Sequence, residues 1–198
     1  MTQKRLLALF FAATAALVAI VVLAVASRGP SRSGEPQFEG SLMPAGVKAP
    51  DFTNLRDQNG RPISMNEFAG KPMMVTFLYS HCKETCPVEA KVVTQAQQML
   101  GGKVPTLAIS VDPRHDTPAS ARKFNGEQQV DVRWVLGSSD QVQKLWRGYA
   151  IQPQTTASEH QARVVLIDKQ GYQHVGYPYG QLSADRLAHD IKLLQKQS

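Results

Sequence analysis

Two cysteines, Cys82 and Cys86, are the residues of this sequence best suited to chemistry. Three residues separate them, so in a helical turn both thiols point the same way and can close on one partner or one metal ion. Pro87 suits the first turn of a helix that starts near Cys86, and the positive end of a helix dipole favours thiolate. We therefore expect both cysteines to be chemically active.

A purely structural disulfide is the simplest alternative for this pair. Closing so short a loop removes only about 2 kcal/mol of unfolded-chain entropy, so the bond would stabilise little. A structural zinc site needs four ligands, and the chain has no further cysteine. Two soft thiolates and one imidazole suit copper better. The spacing alone leaves disulfide exchange and metal binding nearly balanced.

Five histidines are available to complete a metal site. His115 lies in a predicted turn, His174 in a strand or turn near Gly171, and His189 on the polar side of the last helix. These three are expected to be structural or exposed. His81 adjoins Cys82 and is expected to lie near the metal ligands without binding the metal itself. His160 stands just before a predicted strand, at a loop end that a central sheet could bring beside the cysteines. It is the best candidate for the third ligand.

The elements that must position the cysteines alternate between strands and helices. Residues 73–79 are a continuous apolar run, rich in β-formers and too short for a typical helix, which predicts a buried central strand. Val92, Ala96 and Leu100 recur at steps of four and predict a helix over 88–100. Further strands are predicted at 104–111, 132–136 and 163–168, and further helices at Pro118 to about Gly126, from Ser139 and from Ser183.

A hairpin is expected ahead of the first long strand, because Asn59-Gly60 suits a turn with positive φ. Strands that alternate with helices predict a three-layer α/β domain, in which a reactive pair between a central strand and a helix occupies the usual functional position. This arrangement resembles the thioredoxin superfamily, in its redoxin-like branch with an N-terminal β-hairpin extension.

The N-terminus carries the features of a membrane anchor. Lys4 and Arg5 precede an apolar stretch over 6–26, and about twenty such residues span a bilayer core as a helix. We expect residues 1–27 to be a single transmembrane helix, or alternatively a cleaved signal peptide, with the rest of the chain sent across the membrane. Residues 28–44 are expected to be a flexible linker and residues 45–198 the folded domain.

The net charge of +6 does not indicate a nucleic-acid partner. Residues 1–36 hold four basic residues and one acidic residue, which accounts for half of that charge. No run of Lys and Arg interleaved with aromatic residues occurs in the remainder. The basic excess therefore fits orientation in a membrane.

Three segments resemble the SCO/SenC family of copper-binding assembly factors for cytochrome c oxidase, across about residues 45–196. The first runs from Thr76 through Cys86-Pro87, and the second is Ser-Val-Asp-Pro-Arg-His-Asp-Thr-Pro at 110–118. The third is His160 ahead of residues 164–171. The resemblance implies that Cys82, Cys86 and His160 bind Cu(I) or Cu(II).

The resemblance also implies a partner and a place. Family members look like chaperones that deliver copper to the binuclear site of the oxidase, and they are also proposed to reduce the oxidase cysteines. The expected location is the bacterial inner membrane with the domain in the periplasm, or the mitochondrial inner membrane in a eukaryote. Asp112 and Asp116 lie in the second segment and are expected to form turns and caps.

Three hypotheses follow. The first is a membrane-anchored copper chaperone, and the second is a thiol–disulfide oxidoreductase that acts on exported protein cysteines. The third is a docking scaffold with an inert disulfide. Residues 83–85 and His81 depart from the pattern common in the family, so the client could be the oxidase or another exported copper protein.

Overall fold

The computed structural model describes residues 13–23, 37–152 and 162–197. The chain divides into two units, Met1–Gln37 and Phe38–Ser198. In the first unit, residues 13–23 are helical (α1). No helix within the three described ranges is both long and apolar enough to cross a membrane.

The second unit is built on a six-stranded sheet with the order β1-β8-β7-β4-β5-β6. Its strands are β1 (Ser41–Leu42), β4 (Met73–Leu78), β5 (Thr106–Ser110), β6 (Arg133–Val135), β7 (Arg163–Ile167) and β8 (Gln173–Pro178). β4, β5 and β6 run parallel, whereas β7 is antiparallel to β4 and to β8. The predicted central strand is thus β4, with all six of its residues buried.

Helices cover both faces of this sheet, as the predicted three-layer architecture requires. They are α2 (Thr85–Met99), α3 (Pro118–Gln128), α4 (Ser139–Gly148) and α5 (Ala184–Lys196). The side chains of β4 alternate between two cores. Met74 and Leu78 share one core with α2, α3 and α5, while Val75 and Phe77 share the other with α4.

The local signals in the sequence explain where the helices begin. Thr117 and Ser138 cap α3 and α4, and each hydroxyl accepts a backbone N–H of the first turn. α2 begins at Thr85, one residue before the start near Cys86 that Pro87 indicated and three residues before the apolar periodicity that begins at 88. The first turn of α2 therefore contains both Cys86 and Pro87.

The predicted hairpin is present as β2 (Leu55–Arg56) and β3 (Pro62–Ile63). Gly60 takes φ +73°, a value that favours glycine. β8 lies where the sequence left strand and turn undecided around His174.

The folded unit begins inside the predicted linker 28–44. β1 pairs with β8, and the backbone N–H groups of Glu39 and Gly40 donate to the Asp190 carboxylate at 2.9–3.1 Å. A Cβ on Gly40 would lie 2.4 Å from Val175, so only glycine fits this close approach. These contacts span about 150 residues of sequence and leave no local signal.

Candidate functional site

The two cysteines lie where the central strand gives way to α2. After β4 the chain turns, and the N–H of Cys82 donates to the carbonyl of Tyr79 at 3.2 Å. Cys86 is the second residue of α2. Cys82 is 6% exposed, Cys86 is fully buried, and no disulfide joins them. The predicted juxtaposition of the pair is therefore present.

The surroundings give the two sulfurs opposite acidities. The backbone N–H of Cys86 donates to Sγ of Cys82 at 3.2 Å, and Thr85 Oγ1 lies 3.7 Å from the same sulfur. The hydrogen bond from the Cys86 thiol, with these backbone and hydroxyl contacts, outweighs burial and lowers the pKa of Cys82 to about 4. Burial, and then the hydrogen bond to Cys82, raise the pKa of Cys86 far above its ordinary value. At neutral pH the pair is one thiolate and one thiol.

A buried carboxyl group lies on the same face of α2, three residues after Cys86. Glu89 is fully buried, and its Oε1 accepts a hydrogen bond from Thr76 Oγ1 at 2.6 Å. Its Oε2 has no hydrogen-bond partner in the described part of the chain. Burial raises the pKa of Glu89 to about 8, against the Thr76 hydrogen bond and with help from the charge of Cys82. Glu89 is therefore mostly neutral beneath the cysteines at pH 7.

Asp116 anchors the loop that carries the cysteines. Its Oδ1 accepts the N–H and the hydroxyl of Ser80, at 2.8 and 2.6 Å, and its Oδ2 accepts the hydroxyl of Ser110 at 2.6 Å. Burial raises the pKa of Asp116, and these hydrogen bonds oppose the rise. Asp116 thus joins the loops after β4 and β5, a larger role than the predicted turn formation and capping.

The exposed rim of the site holds two imidazoles. His81 and His115 have ring centroids 6.3 Å apart and nearly perpendicular planes. His115 Nδ1 lies 2.8 Å from the Asp112 carboxylate, and His81 Nδ1 lies 3.1 Å from Ser80 Oγ. Asp112 also forms the predicted turn, because its carbonyl accepts the N–H groups of His115 and Asp116.

The other histidines fall into two groups. His174 packs against Phe38 and lies 3.4 Å from Asp168, and His189 Nδ1 lies 2.9 Å from Asp190 Oδ1. Both sit in structural contacts, as predicted. His160, the predicted third ligand, lies outside the described residues, so its place at the site stays a prediction.

The described ranges contain no group of three or more His, Cys, Asp or Glu side chains arranged to hold a metal ion. Cys82 and Cys86 supply two sulfur donors that already share a hydrogen bond, so one ion can reach both. Soft thiolates select soft or borderline metals. The same pair can carry out thiol–disulfide exchange, because it combines a reactive thiolate with a protonated neighbour.

Two residues of the site have roles that the sequence did not reveal. Glu89 reads as an ordinary polar position of an amphipathic helix, although Thr76 inside an apolar strand is a weak signal for a buried partner. The function of Asp116 depends on Ser80, 36 residues away.

A family model described as SCO1/SenC matches residues 44–196. The chain belongs to the SCO1/SenC family. This confirms the resemblance inferred from the three sequence segments. This SCO1/SenC chain is 28% identical over 132 residues to "Protein SCO2, mitochondrial" of Saccharomyces cerevisiae. The aligned region covers 65% of this chain and 44% of the yeast protein. The chain spans about half the length of the first curated relatives it matches.

Solved structures agree on the fold of this SCO1/SenC protein. Bradyrhizobium japonicum ScoI with copper bound is 25% identical, with a TM-score of 0.64 over 74% of this chain and 99% of that one. BsSco, a member of the Sco family of cytochrome c oxidase assembly proteins in which a disulfide switch was identified, has a TM-score of 0.69 at 20% identity and covers 80% and 99%.

The likeness extends to the thioredoxin domain of a thiol–disulfide oxidoreductase from Bacteroides vulgatus. Its TM-score is 0.59 at 22% identity, over 76% of this chain and 97% of that one. The predicted thioredoxin-like α/β fold is thereby confirmed.

Proposed function

We propose that this SCO1/SenC protein is a copper metallochaperone. The observation that carries the proposal is the Cys82–Cys86 pair, in which a thiolate and a buried thiol share a hydrogen bond at the start of α2. Thiolates are soft ligands and suit copper. The copper-bound structure of Bradyrhizobium japonicum ScoI supports the same cargo.

The charge state of the pair suits reversible loading. Cys82 offers a thiolate at neutral pH, so a copper ion can bind there without first displacing a proton. Cys86 must lose its proton when it joins the metal, so loading releases a proton and the affinity rises with pH. His160 is proposed as the third ligand, which leaves room for an incoming ligand of the recipient.

The proposed recipient is the copper-receiving subunit of cytochrome c oxidase, with other exported copper proteins as further clients. The oxidase-assembly role of the Sco family to which BsSco belongs supports this choice. Residues 1–27 are proposed to anchor the chain in a membrane, with the thioredoxin-like unit in the periplasm or its mitochondrial counterpart. The apolar run over 6–26 supports that placement.

Copper titration of the purified chain tests the ligand set. We expect one tightly bound ion per chain with sulfur-to-Cu(II) charge-transfer absorption, and both the tight binding and the absorption should be lost in Cys82→Ser and in Cys86→Ser. His160→Ala should weaken binding, whereas His189→Gln is the matched control and should not. Unchanged affinity after His160→Ala would remove that residue from the site. Unchanged affinity after both cysteine substitutions would overturn the proposal.

A cellular measurement tests delivery. Oxidase copper content is compared in cells with the protein, without it, and with Cys86→Ser, at limiting and at ample copper. We expect a loss at limiting copper that ample copper repairs. An oxidase that is fully loaded without the protein at limiting copper would point to another client.

The opposite acidities of the two cysteines also favour a second candidate, a thiol–disulfide oxidoreductase. The Cys82 thiolate would attack a client disulfide, form a mixed disulfide and release one client thiolate. Cys86, after losing its proton, would attack the Cys82 sulfur and release the second thiolate, so the client gains the two electrons that the pair loses. If the copper-free reduced chain restores an oxidised client, and His160→Ala does so equally, this candidate replaces the first.

A further inference from the structure

The exposed rim beside the cysteines holds two imidazoles from different loops. His81 follows β4 and directly precedes Cys82, and His115 lies in the loop after β5. Their ring centroids are 6.3 Å apart with an interplanar angle of 82°. Both side chains are exposed, that of His115 to 66%. The loops are held together by Asp116, which accepts two hydrogen bonds from Ser80.

The hydrogen bonds of the two rings leave the same nitrogen available on each. His115 Nδ1 contacts both carboxylate oxygens of Asp112 at 2.8 and 2.9 Å, and His81 Nδ1 contacts Ser80 Oγ at 3.1 Å. No hydrogen bond to either Nε2 is present in the described part of the chain. A carboxylate on the far nitrogen is the usual way in which a metal-binding histidine is oriented. The Nε2 atoms are therefore the ring nitrogens of this rim that can bind a metal ion.

We propose that His81 and His115 form a second, peripheral metal site that binds a divalent transition ion through their Nε2 atoms. Imidazole suits copper, zinc and nickel, and Cu²⁺ forms the tightest complexes among these ions. Metal–nitrogen bonds of about 2 Å place two rings on one ion with centres roughly 5–6 Å apart, which is close to the observed separation of 6.3 Å. Asp112 is a positioning residue that orients His115, and water fills the remaining positions.

This site is weaker and more open than the proposed thiolate site. It has two protein ligands, and Lys83 and Arg114 are exposed residues within two positions of them in the sequence, whose positive charge opposes a cation. His81 directly precedes Cys82 in the chain, so the rim borders the loop that carries the cysteines. An entry-point role for this site rests on the proposed copper-chaperone function, in which the ion would move to the cysteines by exchanging nitrogen for sulfur ligands.

The test uses the full chain without the proposed copper ligands, as the variant Cys82→Ser/Cys86→Ser/His160→Gln. Because this background abolishes the thiolate site, the two proposals can fail separately. Cu²⁺ is the probe, with electron paramagnetic resonance to detect nitrogen ligands and calorimetry to measure affinity. We expect one bound ion with nitrogen hyperfine coupling.

Adding His81→Gln or His115→Gln should weaken that binding about tenfold or more, and Asp112→Asn should weaken it less. His189→Gln is the matched control and should have no effect. Thermal unfolding should be the same for His81→Gln and His115→Gln as for their background, because both rim histidines are exposed. Binding that persists unchanged in both rim variants, or that falls equally in the control, would overturn the proposal.

Discussion

The backbone N–H of Cys86 donates a hydrogen bond to Sγ of Cys82 over 3.2 Å. This contact exists because α2 begins at Thr85, which points the N–H groups of its first turn at the preceding sulfur. With the hydrogen bond from the Cys86 thiol, it stabilises negative charge on Cys82 and leaves the proton on Cys86. One helix start therefore divides two identical residues into a thiolate and a thiol.

Alkylation should show this division. We expect the reaction of reduced protein with iodoacetamide to label Cys82 first, with a rate that rises through a pKa of about 4 and is constant above it. Rates are measured by mass spectrometry from about pH 3 to about pH 8. Cys86→Ala removes the contact that most stabilises the Cys82 thiolate, so the midpoint of the rate–pH curve should move to higher pH. A midpoint near the ordinary thiol value in the unsubstituted protein would contradict the assignment.

Glu89 should make stability depend on pH. Its pKa is about 8 in the folded protein against an ordinary 4.5, so between these values the folded state keeps a proton that the unfolded chain has lost. The free energy of unfolding therefore falls as pH rises through this window, by up to about 1.4 kcal/mol per pH unit. Glu89→Gln has no proton to lose. Its stability relative to the unsubstituted protein should rise with pH across the window.

Urea unfolding of the reduced proteins at several pH values measures this difference. Glu127→Gln is the control, because Glu127 is exposed and pairs with Lys123 across a turn of α3. Its difference from the unsubstituted protein should stay flat. A flat difference for Glu89→Gln as well would mean that Glu89 is ionised in the folded state.

Asp116→Ala should loosen the cysteine loop. The change leaves the Ser80 N–H and the Ser110 hydroxyl without their acceptor and should cost roughly 2–3 kcal/mol of unfolding free energy. The alkylation midpoint of Cys82 should rise as well, because the loop no longer holds the sulfur against α2. Asp131→Ala, at an exposed position, is the control. Full stability with an unchanged midpoint would show that Asp116 does not position the loop.

Asp190 should fasten the N-terminal strand. Its carboxylate accepts the N–H groups of Glu39 and Gly40 and the hydroxyl of Tyr177, the last at 2.5 Å. Although burial raises the pKa of Asp190, these hydrogen bonds outweigh it and lower the pKa below the ordinary value. The stabilisation is therefore full above that ordinary value and is lost as pH falls through the folded pKa.

We expect Asp190→Ala to cost roughly 3–5 kcal/mol and to expose residues 38–43 to proteases before the rest of the unit. Urea unfolding and limited proteolysis measure the two effects. Asp185→Ala, in the first turn of the same helix, should cost much less. Cleavage no faster than in the unsubstituted protein would show that β1 is held by its strand pairing alone.

The sequence was sufficient for features that depend on neighbours along the chain. The apolar run of β4, the start of α3 at Pro118, the Asn59-Gly60 turn and the CxxxC spacing each have a local cause, and each corresponds to an element of the structure. The three segments around Cys82, Asp112 and His160 together indicated the family, which the match over 44–196 confirms. The ligand role of His160 stays a prediction.

Other features depend on residues that meet only when the sheet forms. The N-terminal start of the folded unit depends on Asp190, and the neutral state of Glu89 depends on its burial beside Thr76. Asp116 reaches Ser80 because parallel pairing of β4 and β5 brings the loops after them together. The order of residues along the chain determined that two thiols follow the end of a strand. Tertiary structure decided which of them is charged, because the pKa of a thiol is set by burial and by hydrogen bonds from groups around it.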